Sequence, residues 1–430
     1  MMKTVIMAGG KGTRISTVRS DLPKPMIPVC GKPVLEWQIE NLKASGLTDI
    51  VLVIGHLGDA IKDYFGDGSR WDVKISYFIE TQPLGTAGAL FRMSELQEDF
   101  LLMSGDVMLD VDFNRFIRFH KEHNALASLT VHPNNHPFDS SLIVTETLPA
   151  RDGGMPLHTN RVVKWLNKED ERLYYRNIVN AGIEMISPRL LDDARAKLAC
   201  LDKVDLDRDV LKPGIGSGRI FAYETSEYIK DMGTPKRLNE VESDLISGKI
   251  AAHNLSVKQR AIFLDRDGTI NKTNGFLADV NDFELIDGVA EAIKLINKSG
   301  YLAVVVTNQP VIARGECSFE QLQEIHNKME TLLGKEGAFI DGLFLCPHHT
   351  DKGFEGERIE YKVNCDCRKP KAGLFLQAQR HLNIDLSQSY MVGDSVIDIK
   401  AAENAGCKKA ILIEKNVENA LLDAVNEILK

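Results

Sequence analysis

The sequence predicts a two-domain α/β protein, and three observations carry that prediction. Short apolar runs alternate with amphipathic segments along most of the chain, the pattern of a mostly parallel sheet with helices on both faces. An apolar run opening into a glycine-containing loop occurs twice, at residues 5–14 and 261–269, with different residues following each time. The length, 430 residues, suits two or three domains with substantial cores. The division falls near residue 255, giving a first domain over 1–250, a thin linker over 251–260 and a second domain over 261–430. The halves start alike but carry different motifs, so no internal repeat is read.

Composition narrows the function. Hydrophobic residues make up 43% and charged residues 26% of the chain, the profile of a soluble globular protein. A net charge of -9 argues against a general nucleic-acid binder, which needs a basic face, but leaves small anionic substrates open. The sequence has no apolar run of 18 residues and enters a strand-like segment at once, so no membrane association and a cytoplasmic location are expected. Of seven cysteines, Cys346, Cys365 and Cys367 crowd together, which in a reducing compartment suggests metal more than disulfides. Self-association into a homo-oligomer is compatible with the sequence.

Taken in order, residues 3–7, 49–54, 100–103 and 127–131 read as buried strands. Residues 35–45 and 113–123 read as helices, with apolar side chains at three- and four-residue spacing. The pattern loosens over 133–160, where Asn-Asn, Pro and Gly-Gly mark loops. A polar helix is expected over 236–250. In the second half, 261–265, 303–306, 338–345, 389–392 and 410–413 read as strands with helices between.

The first glycine loop, Ala8-Gly9-Gly10-Lys11-Gly12-Thr13-Arg14, turns backbone N–H groups toward phosphate oxygens and adds two cations. It fails the Walker template, because Lys11 precedes Gly12, and the dinucleotide template, because Ile15 stands where a small residue belongs. Lys24 sits between Pro23 and Pro25, which fix the backbone around a positioned cation. Together these residues resemble the sugar-1-phosphate nucleotidylyltransferase family over 1 to about 245. The resemblance implies a Rossmann-like mixed sheet and attack by a sugar 1-phosphate on the α-phosphorus of a nucleoside triphosphate. It assigns Arg14 and Lys24 as catalytic cations, and Ala8, Gly9, Gly10, Gly12, Thr13, Gln82 and Gly85 as the nucleotide contacts. Asp106, after an apolar strand, and Asp231 are the implied Mg²⁺ ligands. Asn180, Gly182 and Glu184 are the implied sugar contacts. Lys168 is the implied holder of the sugar phosphate, with Lys164 as its rival.

In the second half, Asp265-Arg-Asp267-Gly-Thr269 follows four apolar residues. This string resembles the haloacid dehalogenase superfamily, which implies a parallel sheet, Asp265 as nucleophile and Asp267 as acid–base. Thr307 and Asn308 end a later strand as phosphoryl-binding groups, and Arg368 and Lys369 supply cations. Asp394 joins Asp265 and Asp267 around a second Mg²⁺, with Asp398 in support. Cys346, His348, Cys365 and Cys367 flank a polar loop with the donors of a closed tetrahedral Zn²⁺ site, and His349 is a weaker alternative to His348. The loop and Cys-Arg-Lys-Pro resemble heptose bisphosphate phosphatases and their histidinol-phosphate relatives. Asn308-Gln-Pro310-Val311 departs from the usual Gln-Ser-Gly of the heptose enzymes, and Arg314 is a candidate for the distal phosphate.

The halves compose. A phosphatase that trims a sugar bisphosphate leaves the sugar 1-phosphate that a nucleotidyltransferase needs. The resemblance therefore implies a bifunctional enzyme, with the second half a D-glycero-D-manno-heptose 1,7-bisphosphate phosphatase. For the first half the resemblance implies the heptose 1-phosphate guanylyltransferase type, with GDP-heptose for surface polysaccharide as the expected product. The alternatives are a mannose or glucose 1-phosphate nucleotidyltransferase joined to a phosphatase of other substrate, such as histidinol phosphate, or one half acting as a non-catalytic regulatory module.

Overall fold

All four apolar runs read as buried strands in the first half pair into one sheet. The computed structural model describes residues 2–9, 22–149, 154–198 and 200–430. Its strands of more than two residues are, in chain order, β1 (Lys3–Met7), β2 (Asp49–Ile54), β3 (Lys74–Ile79), β4 (Phe100–Ser104) and β5 (Val107–Asp110). They continue as β6 (Ala127–His132), β7 (Leu142–Leu148), β8 (Leu157–Leu166), β9 (Val179–Ile186), β10 (Ile220–Glu224) and β11 (Tyr228–Asp231). Among the described residues nine of these form a sheet in the order β3-β2-β1-β4-β9-β6-β10-β8-β7, while β5 and β11 pair separately. Helices α1 (Val34–Ala44), α2 (Gly58–Phe65), α3 (Thr86–Leu90), α4 (Phe113–Glu122) and α5 (Pro188–Leu198) cover it. Alternate strand residues face two separate cores: Val5, Val51 and Leu102 one, Ile6, Leu52 and Leu101 the other. A sheet buried on both faces needs such continuous apolar runs, which is why these strands were legible.

The first half departs from the sequence reading in three places. The sheet is mixed, because β9 runs antiparallel to both of its neighbours. Residues 133–160, read as loops, contain β7 and the start of β8, an antiparallel pair with register shifts at the sheet edge. Beyond Leu142-Ile143-Val144 both strands are largely half-buried or exposed and mix polar with apolar residues, so backbone pairing at the sheet edge rather than a long apolar run extends them. The helix expected over 236–250 breaks at Gly248, φ +77°, into α6 (Pro235–Ile246) and α7 (Lys249–Ala252).

Residues 251–260 are packed rather than thin. Leu255 and Gln259 are buried, and the Gln259 amide donates to the carbonyls of Asn254 and Val257 at 2.7 and 3.1 Å. The second sheet follows, built from β12 (Arg260–Leu264), β13 (Tyr301–Asn308), β14 (Gly342–Cys346), β15 (Tyr390–Gly393) and β16 (Lys409–Leu412). All are parallel, in the order β14-β13-β12-β15-β16. Helices α8 (Val289–Lys298), α9 (Phe319–Lys335), α10 (Gly373–Leu382), α11 (Val396–Ala405) and α12 (Ala420–Leu429) cover both faces. The strand expected over 338–345 starts only at Gly342, because the Asp341 carboxylate accepts the Ala303 amide at 2.8 Å and takes over the sheet's edge.

Helix α9 joins the halves. Its Thr331 hydroxyl accepts the Tyr175 amide at 2.9 Å, and Glu330 accepts the Asn177 amide at 2.7 Å. A Cβ on Gly334 would stand 2.6 Å from Pro137, so only glycine allows this approach. Among the described residues no helix is long and apolar enough to cross a membrane.

Candidate functional site

The first half converges on the turn between β4 and β5. Buried Gln38 on α1 donates to the carbonyls of Ser104 and Val107 at 2.9 and 2.6 Å, fixing that turn. A Cβ on Gly105 would lie 3.2 Å from Pro25, so the glycine admits the Pro23–Lys24–Pro25 segment. Lys24 then pairs with Asp106, whose other oxygen accepts the Ser104 hydroxyl at 2.7 Å. Asp231, opposite Val107 in the β11–β5 pair, takes two bonds from Arg237 at 2.8 and 2.6 Å and one from the Gly233 amide. Burial opposes its charge, but Arg237, that amide and Lys24 together hold the Asp231 carboxyl below its usual range. Lys24, Asp106 and Asp231 therefore share one place. Asp106 and Asp231 are hard oxygen donors suited to Mg²⁺, with each carboxylate neutralised here by a cation.

The same cleft, of about 1200 Å³, runs past Asn180, Gly182 and Asp207 to a wall formed by Lys294, Lys298 and Asp341 of the second half. A register shift in β9 between Asn180 and Glu184, with Gly182 at φ +68°, turns the Asn180 amide toward Glu184. Burial, then the nearby Asp207 carboxylate, pushes Glu184 well above its usual range. Asp207 itself is pushed up to about 6, by burial first.

Gly10, Gly12, Thr13 and Arg14, with Lys11, lie outside the described residues. Ala8 is buried, and Gly9 packs against Glu80 and Gly55, where a Cβ would meet atoms at 3.1 and 3.2 Å. Gln82 is exposed. Gly85, φ +76°, is needed for packing: its Cβ would stand 2.3 Å from the Val204 carbonyl, which also accepts the first amides of α3. Lys168 and Lys164 both point to solvent. Lys212, not singled out from sequence, reaches the same turn and bonds Asn167 beside the Trp165 ring.

In the second half the carboxylates gather at the C-terminal ends of β12 and β15. Glycines make the approach feasible: a Cβ on Gly268 would lie 2.4 Å from Asp394, and one on Gly393 2.5 Å from Asp398. Asp398 also completes the α11 capping box with Ser395, so its position is fixed by helix geometry. Asp265, Asp394 and Asp398 lie with oxygens within 4.8 Å of one another, a donor set that fits a hard divalent cation. Buried Lys369 spans them, 2.8 Å from Asp265 and 2.6 Å from Asp398, and donates to the Val306 carbonyl at 2.8 Å. Burial pushes Asp265 up to about 6 against the pull of Lys369. Asn308 clasps the Lys369 backbone through both its amide and its carbonyl oxygen, at 3.1 and 3.0 Å.

The Asp398 carboxylate lies beside Asp265 and Asp394, whereas the carboxylate of Asp267, read from sequence as a metal ligand, faces Arg266, Gln309 and Asn271. Thr307 is buried and accepts from Gln309 at 2.8 Å. Arg368 donates to the His348 carbonyl at 3.0 Å, so it braces the cysteine loop in this structure. Arg314 lies against the rings of Phe276 and Phe354 and pairs with Glu316 at 2.7 Å.

The cysteine loop closes into a cluster. The sulfurs of Cys346, Cys365 and Cys367 lie 3.1 to 3.5 Å apart, and His348 Nδ1 is 3.6 and 3.4 Å from Cys346 and Cys367. A tetrahedral zinc site spaces its donors by roughly 3.4–3.8 Å, slightly wider than the closest sulfur pairs here; three sulfurs and one imidazole nitrogen converging on one point are the donor set such a site uses. The Arg368 amide points at Cys365 Sγ, 3.4 Å away, the sort of outer bond that orients a thiolate ligand. His349 turns to Asp351 instead.

Comparisons with known proteins agree with this division of chemistry. The Nucleotidyl transferase family matches residues 3–247, more than half of the chain. The HAD-hydrolase-like family matches residues 366–425. The D-glycero-beta-D-manno-heptose-1,7-bisphosphate 7-phosphatase of Haemophilus ducreyi is 48% identical over 156 residues, 36% of this chain and 83% of that protein. The enzyme of the same name from Pasteurella multocida is 41% identical over 182 residues, 40% of this chain and 96% of that protein. Among solved structures, HddC from Yersinia pseudotuberculosis complexed with GMP-PN covers 57% of this chain and 100% of its own, with 24% identity and a TM-score of 0.45.

Proposed function

The chain belongs to the nucleotidyl transferase family and to the family of the heptose bisphosphate 7-phosphatases, and from these memberships we propose a bifunctional enzyme of nucleotide-activated heptose synthesis. The second half, 261–430, dephosphorylates heptose 1,7-bisphosphate to heptose 1-phosphate. The first half, 1–250, joined through 251–260, transfers GMP from GTP onto that product, giving GDP-heptose and pyrophosphate. The observation that carries this reading is compositional: the product of one family's reaction is the acceptor of the other's, on one polypeptide. The cytoplasm, with its nucleotides and reduced thiols, is the proposed compartment.

In the phosphatase half, an Asp265 oxygen attacks the phosphorus while Lys369 steadies the nucleophile. Thr307 holds the transferring phosphoryl group, and Asn308 fixes the lysine by its backbone. Asp267 gives a proton to the leaving alcohol and later takes one from water. In the transferase half, Lys24 and Arg14 offset charge on the phosphates, and Asn180 and Glu184 bond the sugar hydroxyls. Asp106 and Asp231 in one half, and Asp265, Asp394 and Asp398 in the other, would hold Mg²⁺, which would further neutralise phosphate charge. Cys346, His348, Cys365 and Cys367 would hold Zn²⁺ as a structural crosslink beside Arg368 and Lys369.

The test offers nucleoside triphosphates singly with heptose 1,7-bisphosphate and watches for nucleotide-sugar. GTP should support product formation in the native chain. Asp265→Asn should end phosphate release from the bisphosphate, yet leave pyrophosphate release from heptose 1-phosphate plus GTP intact. Survival of both activities in that variant would sink the two-site assignment.

A further inference from the structure

Among the described residues Arg266 is the largest fully buried side chain, with 0% of its surface exposed. Burying a guanidinium is costly unless every N–H is matched, so a wholly enclosed arginine invites the question of what it holds. Its Nε and Nη2 donate to the Asp267 carboxylate at 3.1 and 2.8 Å. Nη2 also reaches Gln309 Oε1 at 3.0 Å, and Nη1 meets His326 Nε2 at 3.0 Å. Gln309 in turn donates to Asp267 Oδ2 and to the Thr307 hydroxyl, both at 2.8 Å. The Asn271 amide adds a bond to Asp267 Oδ1 at 3.1 Å.

Two features follow from the direction of these bonds. Arginine has only donors, so His326 must present a lone pair at Nε2 and stay neutral; burial, then Arg266, agrees by pushing His326 well below its usual range. Every neighbour of Asp267 named above is a donor, so the site is built around an acceptor. Gln309 links that acceptor to Thr307, so the proposed water-activating group and the proposed phosphoryl-binding hydroxyl are held by one amide.

We infer that Arg266, braced by His326 and linked through Gln309, is a positioning residue that holds Asp267 as the base for hydrolysis of the phosphorylated Asp265. The inference rests on the phosphatase reading. In this step the Asp267 carboxylate takes a proton from water as the water oxygen bonds to phosphorus. The Asp265 oxygen–phosphorus bond breaks, returning the Asp265 carboxylate and releasing phosphate. No co-reactant besides water is needed.

An aryl phosphate isolates this step, because a nitrophenolate leaves without needing a proton. The native chain should release nitrophenolate linearly from p-nitrophenyl phosphate. Arg266→Met should show a burst approaching one nitrophenolate per site, then turnover slowed by about tenfold or more, the scale of a misplaced general base. His326→Leu, which strips the guanidinium of its acceptor, should show the same burst, and His326→Gln, which retains an acceptor, a smaller one. Near-ultraviolet circular dichroism and a native-like thermal melt report whether the second half of each variant is folded; if Arg266→Met fails that check, the His326 pair carries the test. Slowed turnover without a burst, or unchanged turnover, in a folded variant overturns the inference. A native chain that releases no nitrophenolate overturns the phosphatase reading and this inference with it.

Discussion

Glu227 shows how much one buried side chain can decide. It lies 3% exposed, and one of its oxygens accepts the amides of Asp112 and Leu255 at 2.7 and 2.9 Å, while the other accepts the Thr225 hydroxyl. It thereby ties the linker to the first domain. Burial pushes its carboxyl up to about 7, against those hydrogen bonds. Because the folded value exceeds the unfolded one, the folded state keeps a proton that the unfolded chain has lost. Stability from this group is therefore full below about pH 4.5 and falls as pH rises toward 7, by an amount on the order of 3 kcal/mol. Glu227→Gln keeps an acceptor for both amides and removes the titration. It should melt at or below the native temperature at pH 5 and above it at pH 8; an equal offset at both pH values would refute this. Nothing in Thr225-Ser226-Glu227 announces such a role, since burial arises only when distant segments meet. The same limit hid the orientation of Asp267: Asp-x-Asp revealed which carboxylates matter, but not which way each faces.

At the scale of elements, legibility followed burial. Strands enclosed on both faces, such as β1, β2 and β12, carry uninterrupted apolar runs and were readable to within a residue or two. The edge pair β7 and β8 has only the short run Leu142-Ile143-Val144, and the part of it before residue 161 falls within the stretch read as loops. The cysteine loop was readable for a different reason, because metal chemistry demands particular donors at particular spacing whatever the surrounding fold. Its position gives it leverage. It follows β14, and a Cβ on Gly315 would stand 2.0 Å from the Gly356 carbonyl, so the loop packs directly on the segment after β13 that carries Arg314. Cys365→Ser and Cys367→Ser should each lose about one zinc per chain by metal analysis, with phosphatase activity falling while nucleotidyl transfer persists. Undiminished zinc in both variants would remove the metal from the site.

For the whole molecule, the relative placement of the two sites bears on how the intermediate moves. Asp265 and Asp394 directly follow β12 and β15, so the phosphatase centre sits at the C-terminal edge of the five-stranded sheet. The transferase cleft meets that half elsewhere. Lys294 and Lys298 come from the last turns of α8, just before β13, and Asp341 lies just before β14; these mark the sheet's N-terminal edge. The five residues of β12 span about 17 Å at the usual strand rise, and the packed sheet fills that distance. A division near residue 255 was visible in the sequence, but this opposition of edges was not, because it depends on which face of one domain the other covers. Heptose 1-phosphate formed at one edge must therefore leave the phosphatase centre and travel around the sheet to reach Lys24. Labelled heptose 1,7-bisphosphate with GTP and a large excess of unlabelled heptose 1-phosphate should give GDP-heptose whose label is diluted in proportion to the pool. Label retained in full against that excess would mean that the intermediate passes between the sites without release, and that the two edges are joined by a path through the interface.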